Sequence, residues 1–203
     1  MSERNVRVIR LATEDDAPGM LAIYGPVVEN TVISFETEVP TESEFRDRVR
    51  AGRDFAPWIV CEIDGVVVGY AYGSRFRPRA AYQWSAEVTV YVNDNVRRRG
   101  VGRALYISLI ACMRVQGFSS MLAAISLPNL ASIGLHESIG FEQIGVFPAV
   151  GYKLADWHDV GWWRLEIGNT KAEPEAPLTV TSALGQPGWP DALQAGLDTI
   201  RDG

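Results

Sequence analysis

The stretch Val88-Thr89-Val90-Tyr91-Val92-Asn93-Asp94-Asn95-Val96-Arg97-Arg98-Arg99-Gly100-Val101-Gly102-Arg103-Ala104-Leu105 decides the reading of this chain. β-Branched and aromatic residues fill its first five positions, the pattern of a strand. A polar turn and a basic, glycine-containing loop follow, and a helical pattern then runs from Val101 to Gln116. A strand that passes through such a loop into a helix N-terminus suits a pyrophosphate. The helix end offers unpaired N–H groups and the positive end of its dipole, and glycine lets phosphate oxygens approach the backbone. The loop lacks the Gly-Lys-Ser/Thr ending of a Walker loop and the longer dinucleotide glycine pattern.

Outward from this stretch, the chain alternates strand and helix signals. Asn5 to Leu11 alternates as a first strand. Thr13-Glu14-Asp15-Asp16 caps a helix that runs to about Glu29, and Thr41-Glu42-Ser43-Glu44 is a capping box for a second that ends near Gly52. Trp58–Ile63 and Val66–Ser74 form a hairpin across Asp64-Gly65. The Trp84–Val92 strand, the Val101–Gln116 helix and a strand over Met121–Ser126 come next. A short helix from Asn129 to Ser138 ends at Gly140, and two last strands lie near Phe141–Phe147 and Trp162–Ile167. The order is mixed α/β. After Gly168 the composition changes to a polar, alanine-rich tail punctuated by Pro174, Pro177, Pro187 and Pro190. The expected division is therefore a domain over 1–168 and an extension over 169–203. Leu193, Leu197 and Ile200 form the apolar stripe of a terminal helix in that extension.

Composition narrows the function. The chain has 203 residues, of which 47% are hydrophobic, enough for the core of one domain. No apolar run is long enough to span a bilayer, and the N-terminal residues lack the apolar stretch of a secretion signal. Cys61 and Cys112 sit in apolar segments and read as buried free thiols, which fits a reducing cytoplasm. A net charge of −6 argues against a nucleic-acid surface. The basic residues concentrate instead at Arg75, Arg77 and Arg79 and again from Arg97 to Arg103, as expected for small anionic ligands. Two histidines without a neighbouring cysteine or acidic ligand pattern make no metal site.

The pattern Arg97-x-x-Gly100-x-Gly102 resembles the acetyl-CoA signature of the GNAT N-acetyltransferase superfamily, whose element order the chain shares. Asn129-x-x-Ser132-x-x-Leu135-His136-Glu137-x-x-Gly140-Phe141 resembles its second block, in which an asparagine contacts the CoA arm and most members carry tyrosine at the position of His136. The segments Tyr82–Val92 and Gly151-Tyr152-Lys153-Leu154-Ala155-Asp156-Trp157-His158-Asp159-Val160-Gly161 are similar to the phosphinothricin and methionine sulfone/sulfoximine acetyltransferase branch, which has histidine there too. The likeness covers about Val6 to Ile167. It implies a central, mostly antiparallel twisted sheet flanked by helices, acetyl-CoA as co-substrate without a metal, and a cytoplasmic homodimer.

Acetyl transfer to an amine needs a deprotonated nucleophile, a polarised thioester carbonyl and a protonated leaving thiolate. The resemblance makes Glu87 the general base; His136, whose pKa lies near neutrality, reads as acid, as relay, or as a helix histidine packed beside CoA. Backbone N–H groups of Val88, Thr89 and Val90 would meet the thioester and pantetheine. Arg97, Arg98, Arg99, Gly100, Val101, Gly102, Arg103 and Asn129 complete the expected cofactor set. Arg75 and Arg77, alternating along a strand end with Arg79, offer guanidinium forks for a carboxylate, phosphinate or sulfone. Phe35, Phe76, Ser85, Ala86 and Lys153 join them as expected acceptor-site residues, and His158 reads as structural. The function implied is transfer of acetyl from acetyl-CoA to the α-amino group of a small amino acid such as phosphinothricin, methionine sulfone or methionine sulfoximine. Two alternatives remain open: acetylation of protein N-termini, lysines or polyamines, and a catalytically silent CoA-binding protein.

Overall fold

A computed structural model describes residues 6–170 and 173–201; Asn5 of the expected first strand and residues 171, 172, 202 and 203 of the expected extension lie outside it. Seven strands are present among the described residues: β1 (Arg7–Leu11), β2 (Trp58–Ile63), β3 (Val66–Arg75), β4 (Ser85–Val92), β5 (Ser120–Ser126), β6 (Glu142–Lys153) and β7 (Asp156–Glu166). They form one sheet in the order β1-β2-β3-β4-β5-β7-β6, antiparallel except where β4 meets β5. Alternate residues of each strand point to opposite faces. Trp58, Val60 and Tyr70 pack under α1 (Ala17–Asn30) and α2 (Glu42–Gly52). Ile59, Cys61 and Ala71 pack on the other face against α3 (Val101–Gln116).

Local chemistry sets the boundaries. A 3-10 turn at Glu14–Asp16 leads into α1, with Thr13 and Asp16 forming a capping box. Thr41 and Glu44 form the same box at α2. Asp64 and Gly65 have φ of 52° and 78°, the left-handed pair required by the tight β2–β3 turn. Asn129 caps α4 (Leu130–Ile139) by accepting from Ser132 N, and Gly140 closes that helix in the left-handed region.

Three expectations require correction. The two short final strands are one long hairpin, β6–β7, which absorbs the segment from Gly151 to Gly161. Its turn is made by Leu154 and Ala155, both at positive φ, and neither residue type signals such a turn. β3 ends at Arg75, so Arg77 and Arg79 do not continue its alternation. The single terminal helix is two pieces, α6 (Trp189–Gln194) and a 3-10 turn at Leu197–Thr199, parted at Gly196. A Cβ on Gly196 would lie 1.9 Å from the Ala104 carbonyl oxygen, so the chain bends where its backbone touches α3. With α5 (Val180–Ala183), this segment buries Val180, Ala183, Trp189 and Ala192 around Cys112 of α3.

Candidate active site

The site begins where a strand pair fails. β4 and β5 pair only over Ser85↔Ser120, Ala86↔Met121 and Glu87↔Leu122. Beyond Glu87 they part, while β3 still holds one edge of β4 through Val92 and β7 one edge of β5 through Ser126. The facing edges therefore present backbone groups with no ladder partner across the gap. A cavity of about 250 Å³ fills this opening, lined by Glu87, Val88, Thr89 and Val90 of β4, by Ala124 to Ser126 of β5, and by Asn129, Ser132 and His136 around α4. Phe35 and Ser34 close it from the α1 side, and Tyr106 of α3 forms part of its floor.

Burial favours the uncharged form of two titratable groups here. Burial raises the Glu87 carboxyl above its ordinary range, with the Arg77 charge opposing that shift. Burial lowers the His136 imidazole, and its backbone hydrogen bond to Ser132 opposes the shift. His136 Nδ1 lies 2.7 Å from the Ser132 carbonyl oxygen, which can only accept, so Nδ1 carries the hydrogen. Nε2 then accepts from the Tyr106 hydroxyl at 2.8 Å. Tyr106 is buried and its pKa is raised by desolvation, so it stays a hydroxyl. Tyr106 is not among the expected site residues, since it lies on the buried face of α3. Only its partner on α4 reveals a polar role.

The expected residues divide by position. Val88, Thr89, Val90, Asn129 and His136 line the main cavity with Glu87 and Phe35. Ala86 is 0% exposed and Val101 1%, so their side chains belong to the core and only backbone groups remain available. Lys153 does not reach the cavity: it is buried, and Nζ donates to the Val28 and Ser34 carbonyls at 2.6 and 2.8 Å. It thereby ties the end of α1 and the Phe35 segment to β6. Phe35 in turn lies against Gly151, where a Cβ would meet its ring at 2.0 Å. His158 Nε2 bonds the Lys153 carbonyl oxygen at 2.9 Å.

Arg75, Arg77 and Arg79 surround a second cavity of about 220 Å³ with Phe55, Tyr82 and Ser85. The Arg75 guanidinium stacks 4.4 Å over Phe55 and that of Arg77 4.3 Å over Phe76. Phe76 meets Tyr82 and Trp162 edge to face. Arg77 is the member of the trio whose field reaches Glu87.

At the mouth of α3, Gly100 caps the helix in the left-handed region, and Arg98 also has positive φ. Arg97 pairs with Asp94, and Arg103 donates to the Ser138 carbonyl and hydroxyl, both at 3.0 Å. The glycines serve packing as well as any ligand: a Cβ on Gly102 would meet Leu135 at 3.3 Å, and one on Gly100 would meet the Thr199 carbonyl oxygen at 2.3 Å. Among the described residues no group of three His, Cys, Asp or Glu side chains is arranged to hold a metal ion.

Comparison with known proteins agrees with this architecture. The family described as Acetyltransferase (GNAT) domain matches residues 9–162. Phosphinothricin N-acetyltransferase of Streptomyces viridochromogenes is 41% identical over 165 residues, covering 81% of this chain and 90% of that protein. L-methionine sulfoximine/L-methionine sulfone acetyltransferase of Pseudomonas aeruginosa is 37% identical over 82% of this chain and 98% of its own length. The crystal structure of a phosphinothricin acetyltransferase from Sinorhizobium meliloti, in complex with AcCoA, superposes with a TM-score of 0.81 at 32% identity, covering 85% of this chain and 95% of that one. A sheet that opens at β4 and β5, a basic loop at a helix mouth and these matches together make the chain a member of the GNAT acetyltransferase family.

Proposed function

We propose that this enzyme moves acetyl from acetyl-CoA to the α-amino group of a small amino acid, with phosphinothricin, methionine sulfone and methionine sulfoximine as the acceptor class. The observation that carries this reading is the gathering of Glu87, His136 and Tyr106 around one cavity at the parted strands. The open edge of β4 and the helix mouth at Gly100 fit a long ligand with pantetheine amides at one end and a pyrophosphate at the other. Acetyl-CoA supplies the activated thioester.

Glu87, with its raised carboxyl, takes a proton from the acceptor's ammonium, directly or through water. N–H groups of Val88 to Val90 on the open edge hold the thioester carbonyl and disperse its developing charge. Tyr106 and His136 serve the leaving sulfur. With His136 neutral, the Tyr106 hydrogen is committed to Nε2. Once His136 has taken up a proton from solvent, its Nε2–H donates to the Tyr106 oxygen. Tyr106 O–H then gives its hydrogen to the departing thiolate while the imidazolium returns one to the phenol oxygen, leaving both neutral. Arg77, nearest in effect to Glu87, reads the acceptor's carboxylate or its tetrahedral oxygens. Residues 1–168 carry this chemistry, and 169–203 form an extension.

The enzyme works as a cytoplasmic homodimer on this reading. Buried, unpaired Cys61 and Cys112 support a reducing compartment. The edge strand β6 and its turn leave Phe147, Tyr152, Leu154 and Trp157 more than half exposed, which supports a second copy as their cover. Sedimentation of the purified protein as a monomer would remove the dimer.

Turnover of acetyl-CoA with a panel of amino acids, their carboxamides, peptides and polyamines tests the function. Free amino acids should be acetylated fastest, and amidation should cripple them. Equal rates for peptides or carboxamides would move the protein-acetylating reading to first place, and no turnover with any amine would leave a CoA-binding protein.

A further inference from the structure

We propose that the C-terminal segment 196–201 is a strap that holds the Arg97–Gly100 loop in its ligand-binding shape, so that affinity for the nucleotide end of acetyl-CoA is set from outside the family domain. This rests on the reading of that loop as the pyrophosphate site. The matched family domain stops at residue 162, whereas the strap returns over β1 and α3 to the loop itself.

The contacts converge on one turn of backbone. Gly196 N donates to the buried Ser108 hydroxyl at 3.1 Å, and Gly196 lies directly on the Ala104 carbonyl. Thr199 O then occupies the space a Cβ on Gly100 would need. Arg201 N donates to the Arg99 carbonyl at 2.8 Å, and the Arg99 side chain returns a bond to the Arg201 carbonyl. From below, Arg7 Nη1 donates to the Ile200 carbonyl at 2.7 Å, and Gln194 Nε2 to that of Ile9 at 2.7 Å. Ile200 is buried in the main core.

The loop needs such support. Arg98 at φ 62° occupies a region disfavoured for a residue with a Cβ, and Gly100 at 87° follows it. Alternating backbone handedness turns successive N–H groups into one concavity, the shape that receives phosphate oxygens. That shape persists in the absence of ligand only if neighbouring structure holds it, and the Arg201–Arg99 bond fastens it between those two residues. Arg99 and Arg201 are therefore positioning residues, acting through the loop backbone.

The test uses the full-length chain. Arg201→Pro removes the N–H that holds Arg99 O, and Ile200 already has the extended backbone (φ −76°, ψ 126°) that precedes a proline. By calorimetry its Kd for acetyl-CoA should rise about three- to tenfold, the range for one lost hydrogen bond. Its kcat/KM with S-acetylpantetheine, which lacks the pyrophosphate, should equal that of the wild type, as should kcat at saturating acetyl-CoA. Arg7→Met, which loosens the strap from β1, should move Kd the same way, and it carries the test alone if Arg201→Pro does not fold. Arg98→Glu separates the two ideas. If it leaves acetyl-CoA affinity intact, the pyrophosphate reading of the loop falls. If it weakens acetyl-CoA selectively but the folded strap variants bind as tightly as wild type, the strap is only a stabiliser and the proposal fails. Equal weakening toward acetyl-CoA and S-acetylpantetheine would also overturn it.

Discussion

Two clusters of titratable side chains in this molecule use similar residues to opposite ends. At the start of α1, Arg10 donates to both oxygens of Asp16, at 2.6 and 2.7 Å, and also to Glu62, while Asp16 caps Thr13 N. Arg10 is held above its ordinary range chiefly by the hydrogen bond it donates to Asp16. Asp16 ends below its own, because that bond and the Thr13 N–H outweigh the desolvation that is its largest single influence. At the parted strands, burial raises Glu87 and lowers His136, and neither has an ion-pair partner among the described residues. The first cluster locks each group in its charged form. The second favours each group in its uncharged form, Glu87 by raising its pKa and His136 by lowering it. Paired charge brings rigidity, and desolvated groups aimed at a cavity bring reactivity.

The largest effect expected from breaking this contrast is at Glu87. Glu87→Gln should keep acetyl-CoA binding but reduce turnover roughly 10²–10⁴-fold, with the acidic limb of the pH–rate profile lost. Near wild-type turnover would place the base elsewhere. Next in size, Tyr106→Phe and His136→Phe should each slow turnover about 10²-fold with little change in acetyl-CoA affinity. The double variant should be no slower than either single, because the two form one relay. Additive losses would separate them, and normal turnover in His136→Phe would reduce that residue to packing.

Arg77→Ala should raise KM for amino-acid acceptors about tenfold or more, well beyond any change in KM for acetyl-CoA. It should also shift the acidic limb to higher pH, since Arg77 opposes the rise of Glu87. A KM change with an unmoved limb would assign Arg77 to the acceptor alone.

The smallest effects are on stability, and their signs sharpen the contrast. Asp16, held below its usual range, contributes stability that is present above the ordinary carboxylate pKa and lost as pH falls through its depressed value. Asp16→Asn should therefore destabilise at pH 7 by about 1–3 kcal/mol, discounted for the partial exposure of Arg10, with the deficit shrinking on acidification and activity unchanged. Glu87 has the opposite sign. Its raised pKa favours the neutral form, so stability is full below the ordinary carboxylate range and lost as pH rises through the raised value. Glu87→Gln should melt higher than wild type at pH 8 and match it in acid. Thermal unfolding across pH checks both, and parallel curves for the two variants would abolish the distinction between the clusters.

Most elements were legible because local chemistry specifies them. The capping boxes at Thr13 and Thr41, the Asp64-Gly65 turn and the run from Val88 through Gly100 into Val101–Gln116 each carry their signal within a few residues. The β6–β7 hairpin was hidden because Leu154-Ala155 turns without glycine or asparagine, held by the ladder on either side. Lys153 was misplaced for a related reason. A lone lysine reads as a charged hand for substrate, whereas burial commits it to two carbonyls more than a hundred residues away.

The sequence by itself determined which residue types are available, the order of strands and helices, and the family to which that order and those motifs belong, because periodicity and turn chemistry are short-range. Only the tertiary structure decided what each group does. It opened β4 from β5 at Glu87, joined Tyr106 to His136 across two helices, set the arginines around a neighbouring cavity and laid Thr199 against Gly100. Those outcomes depend on desolvation and on contacts between residues far apart in the chain, and a local pattern of letters carries neither.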